Sequence, residues 1–255
     1  MLYISDDAWT KYIALLRKIN DAAGAELFNY LSTHEWWRSK EAKQAAIDYA
    51  YGIATRYGEA GEAVVCEFYD MIVSQWADHI LPSAVPAKTA NYSEVAKAFN
   101  GTSGSLSEQM MADAVARLVK VAQVDTLMQN AIRDGAEWAW IPHGETCPYC
   151  LMLASRGWQN ASKKAIKNGH AEHIHANCDC TYAVRFSENQ NVEGYDPNDY
   201  RKLYYAADGN TPEERINAMR RIQYKLDKDK INAQKRAAYA RHKEMEEVIA
   251  ESERA

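Results

Sequence analysis

Four of the chain's five cysteines fall between positions 147 and 180, as C-P-Y-C at 147–150 and within HIHANCDC at 173–180. The skeleton is C-x2-C, a polar spacer, and H-x-H-x2-C-x-C. Two residues between cysteines let both thiolates turn toward one ion. A second pair of ligands from a distant point then closes a tetrahedron, with Zn–S near about 2.3 Å and Zn–N near about 2.0 Å. The pattern predicts one structural zinc ion, with ligands drawn from Cys147, Cys150, His175, Cys178 and Cys180. His175 and Cys178 stand three apart and can face the ion from one turn, so Cys147, Cys150, His175 and Cys178 are the first choice. Cys180 either replaces His175 in a four-cysteine site or is a buried thiol at the start of the following strand. Four protein ligands leave no open position for water, so the metal reads as structure rather than catalysis. A site of this kind contributes an apparent ~10–16 kcal/mol to a segment too short to bury enough apolar surface alone.

Two alternating segments bracket the cluster, EWAWIP at 137–142 and TYAVRF at 181–186, and are expected to pair as strands. The rest reads as helix. Trp9, Tyr12, Ile13, Leu16, Ile19, Leu27, Tyr30 and Leu31 recur at helical spacing, interrupted only by Gly24. A second stripe opens near Ser39 and sharpens into Val65, Phe68, Tyr69, Ile72, Val73 and Trp76, with Gly58 and Gly61 predicted to divide it into two helices. Such stripes face a core by default. Residues 80–105 form a long connection with at most one short helix, a place for a hinge or partner-binding loop. Ser105 and Glu108 give a capping box for a helix running to about Asp134, where Gly135 stops it. Thr211, Pro212 and Glu214 open a long C-terminal helix. The expected fold is mainly α. It has a helical bundle-like region over 1–136, a zinc-stabilised α+β knuckle over 137–190 and a C-terminal helical arm over 191–255.

Charge and composition narrow the function. A formal net charge of −5 argues against a general nucleic-acid coat, so any DNA contact is local. The N-terminus lacks a basic segment followed by an unbroken apolar run, and no apolar stretch reaches membrane-spanning length, so no membrane partner is expected. The clustered, odd-numbered cysteines fit a reducing compartment and a metal better than a disulfide framework. CPYC also matches a thiol–disulfide active site for four residues, but that chemistry needs βαβ units around it. His143-Gly144-Glu145 stands one residue from CPYC, whereas deaminases take their two motifs from separate helices. Cys66 reads as a small buried residue. With no phosphate loop or nucleophile elbow, no catalytic residue is assigned and the chain is expected not to be an enzyme.

The segment WIPHGETCPYCLMLASRGW followed by HANCDCTYAVRF resembles the phage Mu F-like minor head proteins of tailed bacteriophages, over roughly 141–186. Carried over by position, the family's motif cysteines fall on Cys147, Cys150, Cys178 and Cys180, and its histidine on His175. Ala176 stands where family members often have proline. The resemblance implies a structural virion protein of the phage head. It would be assembled in the host bacterial cytoplasm near the portal, with the portal protein or the major capsid protein as partner, and act in head assembly, DNA packaging or ejection. The C-terminal arm adds a local feature. Residues 215–243 carry ten Lys or Arg against Asp227 and Asp229, a net +8, suited to packaged DNA or an acidic portal surface. Ile216, Met219, Ile222, Leu226 and Ile231 mark an apolar stripe on the same stretch, which packs on this chain or on a neighbour. Two other classes stay open: a thiol–disulfide oxidoreductase using Cys147 and Cys150, and a zinc nucleic-acid-binding module.

Overall fold

The computed structural model describes residues 2–100, 107–143, 146–162, 174 and 180–225, with single positions at 228, 232 and 236. It is mainly helical. Helices α1 (Asp6–Thr33), α2 (Lys40–Trp76) and α4 (Glu108–Arg133) pack on one another, and the short α3 (Tyr92–Phe99) lies across α2 and α4. Each begins with a side-chain cap. Ser5, Ser39, Asn91 and Ser107 accept from the amides of Ala8, Ala42, Glu94 and Met110, satisfying donors that the helix leaves open. The cap of α4 is Ser107; the expected Ser105 lies outside the described residues. Gly135, with φ +66°, turns the chain out of α4 as predicted.

Two expectations about glycine meet different outcomes. Helix α1 runs unbroken through Gly24, where the missing side chain would have met Ala116 Cβ at 3.6 Å. Gly58 and Gly61 do not divide the second stripe, because α2 is a single helix of 37 residues. These glycines sit where neighbours press on the helix. A Cβ at position 58 would fall 3.3 Å from Thr89 Cβ, and one at position 61 would fall 2.7 Å from Gln123 Cγ. The helix accepts their conformational cost because packing needs the space.

The connection after α2 is a strap laid along α2 and α4. Asp70 accepts from the Ala84 amide, Thr126 from the Ala87 amide, and Asn130 both accepts from Val85 N–H and donates to Val85 C=O. Arg133 donates to the carbonyls of Pro82 and Ser83. Asn130 is 1% exposed and also donates to Thr126 C=O. Asn130→Ala is expected to lower stability by about 2–3 kcal/mol, since it strands buried backbone groups. Hydrogen exchange at the Val85 amide should quicken beyond the global effect.

Under the same helix pair lies an unusual carboxyl. Glu62 is 3% exposed and its Oε1 has no hydrogen-bond partner among the described residues. Burial, reinforced by Glu59 and Asp125, pushes its pKa up to about 7. The folded chain therefore holds a proton that the unfolded chain releases near pH 4.5. This contribution to stability is fully present below that pH and is lost as pH rises through about 7. Glu62→Gln should flatten the dependence and raise stability at pH 8 by about 1–2 kcal/mol, read from denaturant titrations at pH 5, 6 and 8.

Beyond Gly135 the chain forms a sheet of order β3-β2-β4, from β3 (Gln159–Asn160), β2 (Glu137–Ile141) and β4 (Thr181–Arg185), antiparallel throughout. The pairing of the two bracketing segments is as predicted, in the register Glu137↔Arg185 to Ile141↔Thr181. An ion pair of 2.6 Å joins that first couple, and the Arg185 guanidinium lies 4.7 Å above the Trp158 ring. Trp138 and Trp140 each meet Tyr182 edge-on at 4.6 Å. A feature the sequence did not announce is β1 (Leu2–Ile4), parallel to β5 (Gln190–Val192). The remaining described helices are α5 (Pro148–Ala154) between β2 and β3, α6 (Pro197–Ala206), and α7 over 212–225. The predicted capping box opens α7. Thr211 Oγ1 accepts from the Glu214 amide, and the Glu214 carboxylate accepts from Asn210 and Thr211. The rest of the expected arm lies largely outside the described residues.

Among the described residues two large clusters dominate the core. One, with Leu27, Leu31, Ile53, Phe99 and Met111, fills the far half of the bundle. The other joins Tyr12, Tyr69 and Met128 of the helices to Trp140, Tyr182, Cys150 and Cys180, so the sheet and the cysteine motif share their core with the bundle. Asn20 and Gln123 exchange buried amide bonds in the bundle. Among the described residues no helix is long and apolar enough to cross a membrane.

Candidate metal centre

Strand β2 delivers the chain to Cys147, which caps α5. Its Sγ accepts from the Cys150 amide at 3.5 Å, and Pro148 occupies the first helical position, where no amide is needed. A sulfur at a helix N-terminus, taking an N–H bond, is stabilised as thiolate, the form that binds metal. Cys150 is 2% exposed and Cys147 half-buried, so both thiols sit at one end of α5 against the main core. The far end of α5 is held as firmly. Tyr195 Oη donates to Ala154 C=O at 2.8 Å and Arg201 Nε to Ser155 C=O at 2.9 Å, while Gly157 turns away with φ +71°.

The second arm of the motif is fixed on both sides. Ile174 is buried, and its carbonyl accepts from Arg117 Nε of α4 at 2.7 Å. Cys180 is fully buried immediately before β4 and belongs, with Ile174 and Cys150, to the main core cluster. His175 and Cys178 lie outside the described residues. Among the described residues no group of three or more His, Cys, Asp or Glu is placed to hold a metal, so Cys147, Cys150 and Cys180 do not form a three-ligand set by themselves. The Cys147–Cys150 pair fits two thiolate ligands of a tetrahedral ion by spacing, by its N–H···S bond and by its shelter from water.

Two phenols border the thiols. Burial pushes the Tyr149 hydroxyl up, and negative charge on Cys150 and Cys147 adds to the shift while Arg156 opposes it. Burial also pushes Tyr200 up, with Cys180 and Asp199 contributing. Both stay protonated near neutrality, as donors. Cys66 sits half-buried on α2 with its thiol pushed up by burial, consistent with a packing residue. The Arg117 and Tyr195 anchors escaped the sequence reading, since neither carries a local signal.

The basic arm begins on the opposite side of α5. Ile216 packs with Met152 and Tyr204, and Met219 lies against them, so the first part of the apolar stripe belongs to this chain. Ile222 is 56% exposed and Tyr224 49%, beside the arginines 220 and 221.

The fold and this motif define a mainly helical protein with an antiparallel sheet, flanked by the described cysteines of the motif, built into one end of its bundle. The family model described as VG15 protein matches residues 3–207, and the chain belongs to that family, a family of phage proteins. The match takes in both arms of the cysteine motif. No curated protein and no solved structure matches the chain.

Proposed function

We propose that this phage protein is a structural component of the virion, a minor head protein of the Mu F-like kind, acting in head assembly near the portal. In this reading one zinc ion, held by four of Cys147, Cys150, His175, Cys178 and Cys180, rigidifies the sheet end of the molecule. It carries no catalytic residue, and its partners are the portal or major capsid protein and, through residues 215–243, packaged DNA. Membership of a phage family supports the viral setting. The observation that carries the zinc reading is the Cys147 cap bonded to the Cys150 amide, with Ile174 and Cys180 bringing the second arm back to the same core. Mass spectrometry of purified phage particles, separated into heads and tails, tests the location. The protein should be found with heads and absent from tails, and its absence from particles would defeat the proposal.

One observation favours a second reading. Cys147 is the more open thiol and sits at a helix start, with Cys150 buried behind it, an order that suits disulfide exchange. The all-antiparallel sheet order β3-β2-β4 lacks the βαβ surroundings of that chemistry. Turnover of a disulfide substrate that survives chelation would establish it instead.

A further inference from the structure

Where α5, β3, α6 and the start of α7 meet there is an open pocket of about 460 Å³, away from the cysteines and unused by the reading above. Arg156 and Arg201 line it with Gln159 and Tyr205, over buried Ser155 and Tyr204. Among the described residues no carboxylate lines the pocket and Arg156 pairs with none, although the chain as a whole is acidic. Arg201 is held in place, with Nε on Ser155 C=O and Nη1 3.3 Å from Asn198 Oδ1, which leaves the rest of its fork for a ligand. Arg215 stacks 4.9 Å from the Tyr205 ring and adds positive charge beside it.

We infer that this pocket binds a phosphate group, presented by the backbone of DNA. Guanidinium forks match phosphate oxygens in pairs, and one already oriented loses little freedom on binding. The volume exceeds what a lone phosphate fills and leaves room for the attached sugar beside the exposed Tyr205. The basic helix continues directly from the pocket's edge at Pro212. The choice of DNA rests on the head-protein reading; the phosphate chemistry does not.

The test uses the full chain and a short labelled DNA duplex, followed by anisotropy across a salt series, with inorganic phosphate as a second probe. Arg156→Glu should weaken duplex binding about tenfold and lower the salt slope by about one. Gln159→Glu, which keeps both arginines, should act in the same direction, and unchanged thermal unfolding separates either effect from misfolding. Equal duplex affinity in the wild type and both variants would overturn the site. Protection by inorganic phosphate without duplex binding would overturn the DNA assignment and leave a free-phosphate site. Neither result bears on zinc content or on location in the head.

Discussion

On the zinc reading proposed above, chelation, or replacing Cys150 by serine, is expected to cost the protein more than about 4 kcal/mol. Metal binding that exists only in the folded state is folding free energy. Cys150 is 2% exposed and shares a core with Trp140 and Tyr182, so loosening the knuckle also opens packed aromatic surface. The loss should be uneven. Amides of β2 and β4 should lose protection from hydrogen exchange early, while the far half of the bundle, with its separate core around Leu27 and Phe99, keeps its own. Chelation that leaves the unfolding midpoint unmoved would contradict this.

The second large effect reverses what helix propensity alone predicts. Alanine for glycine inside a helix normally gains up to about 1 kcal/mol. At Gly61 the new methyl would stand 2.7 Å from Gln123 Cγ and 2.9 Å from its Cδ, and Gln123 is 2% exposed and bonded to Asn20 at 2.9 Å. Overpacking outweighs propensity there, and Gly61→Ala should lose about 2 kcal/mol net. Gly52 lies in the same helix with nothing within 4 Å of the corresponding Cβ, so Gly52→Ala should gain instead. Denaturant unfolding of the two variants, run together, should give opposite signs. Gly61→Ala/Gln123→Ala should recover part of the loss, because the two changes share a contact.

The same glycine shows where sequence reading stops. Periodicity places Trp9, Tyr12, Ile13, Leu16, Leu27 and Leu31 on the buried side of α1, because a 3.6-residue repeat is a local property. Whether Gly61 breaks a helix or admits a neighbour depends on Gln123, sixty-two positions away, and nothing local encodes that. The strands at 137 and 181 were legible by alternation, whereas β1 and β5, three residues each, are too short to show a pattern and are held by their parallel pairing. In the motif, the spacing singled out Cys147 and Cys150, but the cap that Cys147 forms on α5 is seen only in the fold. The anchoring of its second arm by Arg117 is a long-range bond from α4, seen only in the fold.

The most direct test is the metal content of protein purified without added zinc, alongside Cys147→Ser and Cys178→Ser. About one zinc per chain is expected in the wild type, lost from both variants together with stability. Metal-free, fully stable protein with a titratable Cys147–Cys150 disulfide would contradict it and bring the redox reading forward.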